Sequence, residues 1–141
     1  GGFISFFKEP LSQTLPLLRK GYELGLASGD KLYAGYCIIN ESRNTLSTGL
    51  PLSQWLDLDR NVKQKLTRLD AYVMIDFREC VCAYVRQMSG VYEPPLSLDN
   101  NDFCEKKYRE KYSKVPFFCA LLDGCKVQFL YHTIKTNNSN N

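Results

Sequence analysis

The sequence predicts an all-α protein, built of antiparallel helix pairs stacked as a short irregular α-solenoid of about five to six helices. Three observations carry this expectation. Apolar residues recur at spacings of three and four through most of the chain. No run of alternating apolar and polar residues reaches strand length, and glycine or proline stands at nearly every joint.

The first element follows Pro10, with Thr14 as its N-cap and Pro16 in the first turn, where proline loses no needed donor. Leu17, Leu18, Tyr22, Leu24 and Leu26 carry it to a stop at Gly29. Gly21 and Gly25, four apart, share one helix face, and Gly29-Asp30 combines a helix end with the N-cap of the next helix. Gly35 lies inside that second helix. The stretch Gly21–Tyr36 therefore reads as a tight hairpin whose structural residues are Gly21, Gly25, Gly29, Asp30 and Gly35. The polar segment Asn40–Asn44 is expected to fray, and Gly49-Leu50-Pro51 ends one helix and opens another.

Pro51–Met88 holds the longest helical pattern, which as one rod would span about 57 Å. That is long for a small domain, so a break is expected, with Asp57–Asn61 as one candidate and the neighbourhood of Asp70, where apolar density rises, as the favoured one. Ser89-Gly90 stops this segment, and residues 91–99 read as a linker. Asp99 or Asn100 could cap a short charged helix to Tyr112. Ser113 is the expected cap of a last helix with a buried stripe of Phe117, Phe118, Leu121, Leu122, Cys125, Phe129 and Leu130. Residues 1–135 thus read as a single helical-repeat domain, with 136–141 a disordered polar tail.

Composition bounds the function. The chain has 141 residues, 44% of them hydrophobic and 23% charged, and a net charge of +3 from 18 basic and 15 acidic side chains. So even a balance gives no footprint for nucleic acid. The densest cluster, Lys106, Lys107, Arg109 and Lys111, alternates with Glu105 and Glu110, as a solvated helix face does. No apolar run approaches the ~20 residues that cross a bilayer, so no membrane partner is expected. A start at Gly1-Gly2-Phe3 reads as a chain processed or cut from something longer. Cys37, Cys80, Cys82 and Cys119 fall within apolar helical patterns, which predicts reduced thiols and a cytoplasmic location.

Motifs for chemistry are sparse. Cys80 and Cys82, two apart on a helix, point about 200° apart and cannot chelate one ion. No metal or cofactor is expected. Asp76 and Glu79 share a helix face, with Arg78 and Arg86 near enough for a local ion pair. The one alternative to a binding role is a small all-helical enzyme using a cysteine or carboxylate with His132, the only histidine. Trp55, Tyr33 and Tyr36 are the candidate partner-contact residues, with Trp55 as a semi-exposed anchor.

The residues of Pro10–Leu52 also carry a family resemblance: Pro10-Leu11, Leu15-Pro16, GYELGLASGD followed by YAGY, and Gly49-Leu50-Pro51-Leu52. The stretch resembles the tetratricopeptide-like helical region of multidomain signalling kinases of cyanobacteria and other bacteria. In that family a serine/threonine kinase and an AAA-type ATPase domain precede the array, and GAF and histidine kinase domains follow it. The resemblance extends over about Lys8–Tyr131 and is most specific at Gly21–Tyr36. It implies a non-catalytic interaction or coupling module with protein partners, and it carries over no active-site residue. A piece of solenoid cut from its neighbours exposes an apolar end face, so self-association is expected.

Overall fold

The described residues form six helices: α1 (Leu11–Ser28), α2 (Lys31–Leu46), α3 (Leu52–Arg68), α4 (Tyr72–Ser89), α5 (Glu105–Lys111) and α6 (Pro116–Ser139). The structure, a computed structural model, describes residues 11–90 and 97–139, and no strand occurs among them. The lead-in of residues 1–9, the Pro94-Pro95 linker and Asn140-Asn141 lie outside the described residues. The chain divides into two compact units, Gly1–Arg78 and Glu79–Asn141.

In the first unit, α1 and α2 form a hairpin closed at Gly29, whose φ of +75° suits a residue without Cβ. Asp30 caps α2 as expected, its Oδ1 accepting from the Tyr33 N–H at 2.9 Å. The two arms touch at Gly25, where a Cβ would stand 2.9 Å from the backbone N of Ala34. At Gly21 a Cβ would stand 2.8 Å from Cys37 Sγ. Gly35 instead lets α2 approach Leu66 of α3 and the start of α4 at Ala71 and Met74.

Three local expectations give way here. Helix α1 begins three residues before Thr14, so Thr14 is no cap; it is fully buried, and its Oγ1 accepts from Asn44 Nδ2 at 3.0 Å. Pro16 consequently lies inside α1 and gives up one backbone hydrogen bond. The polar half of α2 stays helical because its amides bond inward: Asn40 Nδ2 donates to the Tyr36 carbonyl at 2.8 Å, and Asn44 reaches α1.

The break between α3 and α4 falls at Asp70, in the left-handed region with φ of +55°. The Ala71 N–H bonds back to the Leu66 carbonyl at 3.0 Å and the Asp70 N–H to Thr67 at 3.1 Å, closing α3 as a Schellman motif. Leu18, Ile38, Ile39, Trp55, Leu66, Leu69 and Phe77 are core residues of this unit.

The second unit takes up α4 from Glu79 onward and adds α5 and α6. Its core gathers Cys80, Cys82, Val85, Leu98, Phe103, Leu122 and an aromatic group in which Tyr112 stacks on Phe118 at 4.1 Å. Asp99 supports α5 from a distance, its Oδ1 accepting from the Glu105 N–H at 2.6 Å. Glu105 answers by accepting from the Leu98 N–H at 2.6 Å, which fixes the connection entering α5. Cys104, not Asp99 or Asn100, occupies the cap position. Ser113 likewise is not the cap of α6; its N–H belongs to the turn closing α5, and Pro116 is the first helical residue. Helix α6 then runs to Ser139, through four residues of the polar stretch expected to lack structure.

Candidate functional site

A cleft of about 220 Å³ opens in the first unit between α1, α2 and α3. Helix α3 supplies its apolar wall: Leu58 and Val62 are one turn apart, and Lys65 follows on the same face. Ile38 and the edge of Trp55 complete that wall. The rim is polar, with Arg19 of α1, Glu41, Ser42 and Thr45 of α2, and Asn61 of α3.

Trp55 organises the cleft from beneath. The sequence suggests a semi-exposed anchor, but Trp55 is only 2% exposed. Its indole N–H donates to the Ser42 carbonyl at 2.8 Å, satisfying the polar end that would otherwise oppose burial. It positions the wall and, although almost wholly buried, contributes to its lining. Tyr33 and Tyr36 do lie on the surface of α2, half-exposed, yet neither lines the cleft, so the three candidate contact residues do not converge. Tyr33 instead shields Gly21, its hydroxyl 3.5 Å from where a Cβ would stand, and its phenol is raised above its ordinary value by the neighbouring Cys37.

Electrostatics divide the rim. Arg19 Nε donates to Glu41 Oε1 at 2.6 Å, tying α1 to α2 across one side. On the other side Lys65 Nζ stands 5.3 Å above the Tyr22 ring and has no carboxylate partner among the described residues. One acid and two cations therefore meet at the opening. Neither histidine nor cysteine lines it, and the Thr45 hydroxyl is spent on the Glu41 carbonyl at 2.8 Å. Such a lining can hold a ligand by charge and apolar contact.

The reactive groups sit elsewhere. All six cysteines are free thiols, four of them buried. Cys80 is fully buried against Cys125 and Tyr108, and its thiol is held far above the ordinary range, first by its hydrogen bond with Cys125 and then by burial. A thiol so held stays protonated and unreactive. His132 is on the exposed surface of α6, edge-on to the Tyr131 ring at 5.8 Å. Cys125 lies about 10 Å along the axis from it, at two turns' distance on the same helix, and is buried. Among the described residues no group of three His, Cys, Asp or Glu side chains could hold a metal ion.

Of the acids and arginines expected to pair locally on α4, Arg86 stands 3.9 Å from Glu79 and also 3.5 Å from Asp102, while Arg78 meets Asp59 across α3 and α4, with side chains only 5% and 1% exposed. In the basic cluster Arg109 pairs with Asp123, and Lys126 bonds Glu105 at 2.7 Å, so part of the charge is already answered within the second unit. No described helix is long and apolar enough to cross a membrane.

Arg19, Glu41 and Lys65 are the functional candidates that sequence reasoning misses. The available signal is the Leu58, Val62, Lys65 spacing on α3, which places a cation on the edge of an apolar face. No family model, no curated protein and no solved structure matches this chain.

Proposed function

We propose that the chain is a non-catalytic helical interaction module that takes a short protein segment, acidic and apolar in character, in the cleft between α1, α2 and α3. The single observation that carries this reading is the rim itself. Lys65 has no acidic partner among the described residues, and it stands over an apolar wall of Leu58, Val62 and Ile38. A segment pairing a carboxylate with a small apolar side chain answers both features, and the charge pair would set orientation more than affinity.

The resemblance at Gly21–Tyr36 extends the proposal to a biological setting. The module would act within, or derive from, a multidomain kinase and ATPase, as a tetratricopeptide-like coupling segment between flanking domains. Its action would be geometric: tilting of one helix pair against the next passes a bound state along the array. An open reading frame with an ATPase motif upstream and a histidine kinase motif downstream would support that setting, and a complete short gene would remove it.

Selection of peptides from a random display library against the full chain, followed by calorimetry, tests the cleft. Acidic peptides should be recovered, and Lys65→Glu should weaken their binding about tenfold or more, the loss expected from turning an attraction into a repulsion. Peptides that bind Lys65→Glu as tightly as the native chain would sink the proposal.

A further inference from the structure

The rim of the cleft between α1, α2 and α3 holds one acid between two cations, and the way each is held sets which anion it suits. Arg19 Nε donates to Glu41 Oε1 at 2.6 Å. Its guanidinium makes no other bond among the described residues, so Nη1 and Nη2 are unspent. A guanidinium tied at Nε has its plane fixed, and its outer edge is a fork matched to the two oxygens of a carboxylate. The Arg19 side chain is 64% exposed and that of Glu41 24%, so the acid is the enclosed partner and the fork the accessible one.

Lys65 stands near the same fork. Its Nζ lies 5.3 Å from the centre of the Tyr22 ring, and Tyr22 is three residues beyond Arg19 on α1. Residues so spaced share a helix face, with Cβ atoms about 5–6 Å apart. Both long cationic side chains therefore stand along one edge of α1, where a single anion can engage the two together.

Charge balance chooses the anion. Two positive groups and one negative group leave a single positive charge at the opening. One carboxylate neutralises it. A phosphoryl group, at about −1.5 to −2, brings more negative charge than the opening can answer. The excess would stand beside Glu41 and the apolar wall of Leu58 and Val62, where charge is poorly solvated. We infer that Glu41 is the specificity-determining residue of the cleft: it aims the Arg19 fork at a carboxylate shared with Lys65, and its own charge turns away a phosphorylated segment. This rests on the reading of the cleft as a site for an acidic, apolar segment, and adds what makes the site selective.

Calorimetry on the full chain with three end-blocked peptides tests it: Gly-Val-Glu-Val-Gly and its counterparts with glutamine or phosphoserine in place of glutamate. The native chain should bind the glutamate peptide about fivefold or more tighter than the glutamine one, and at least as tightly as the phosphoserine one. Glu41→Gln keeps an oxygen to accept from Arg19 Nε and removes only the charge, so it should move the preference toward phosphoserine by about fivefold or more. Arg19→Lys keeps the charge without the fork and should weaken the glutamate peptide about threefold or more. A phosphoserine-to-glutamate ratio unchanged in Glu41→Gln would overturn the inference, as would a native chain that prefers phosphoserine. Glutamate binding that depends on Lys65 but is indifferent to Arg19 would overturn it while leaving the cleft reading intact. No binding of the glutamate peptide to the native chain would overturn both.

Discussion

At Gly25 the backbones of the two arms of the first hairpin meet with nothing to spare. A Cβ there would fall 2.9 Å from the Ala34 nitrogen, 3.1 Å from its Cα and 3.0 Å from its Cβ, and backbone cannot yield as a flexible side-chain tip can. Gly25→Ala should therefore destabilise the chain by about 1–3 kcal/mol despite the better helix propensity of alanine. Urea denaturation would show this as a lower midpoint with an unchanged slope; an unchanged or raised midpoint would contradict the close approach. Gly21 has a softer neighbour, the Cys37 sulfur, and should tolerate alanine better. This hairpin was legible in the sequence because glycine spacing and an N-cap aspartate are local signals. Thr14 was misread for the same reason: a threonine before an apolar run has the look of a cap. Only its distant partner Asn44, 30 residues away, reveals that it is buried inside the helix.

Elements are held to one another by fewer and more specific ties. Asp59 and Arg78 join α3 to α4 at a site almost closed to water, where two charges carry a desolvation cost that their pairing helps to offset. Arg78→Met alone should cost about 3–5 kcal/mol by taking the guanidinium away from the buried Asp59 carboxylate, whereas Asp59→Leu with Arg78→Met should recover most of the loss. A double variant as unstable as the single, read by thermal unfolding, would contradict that account. Element boundaries were readable where the chain itself supplies the stop, as at Gly29-Asp30 and in the apolar rise beyond Asp70. They were less readable where a cap comes from a distant group, as with Asp99 and the Glu105 N–H. Helix α6 shows a further limit. Periodicity marks both Phe117 and Phe118 as apolar, and only packing distinguishes the buried Phe118 from the exposed Phe117.

Over the whole molecule, burial of neutral thiols gives stability a pH dependence of definite sign. Cys37 is raised by burial, and Cys80 by its hydrogen bond with Cys125 and by burial. In the unfolded chain these thiols lose their protons near their ordinary value, about pH 8.5, while the folded chain still holds them. The native state then binds more protons than the unfolded state, so stability falls as pH rises above about 8.5. The urea midpoint should be lower at about pH 10 than at about pH 8, and the fall should be shallower in Cys80→Ala. An equal fall in both would remove Cys80 from the account. The cleft was the least legible feature of all. Arg19, Glu41 and Lys65 come from three helices, and nothing in their local sequence announces that α1, α2 and α3 bring them to one opening.

We propose that this opening, and not the thiols or His132, is where the chain meets its partner. A two-dimensional amide correlation spectrum of the ¹⁵N-labelled chain, titrated with a selected acidic peptide, tests it most directly. The expected result is a set of shifts centred on Arg19, Glu41, Ser42, Asn61 and Lys65, with the amides around His132 unmoved. Shifts confined to α6 around His132, or absent from α1–α3, would contradict it.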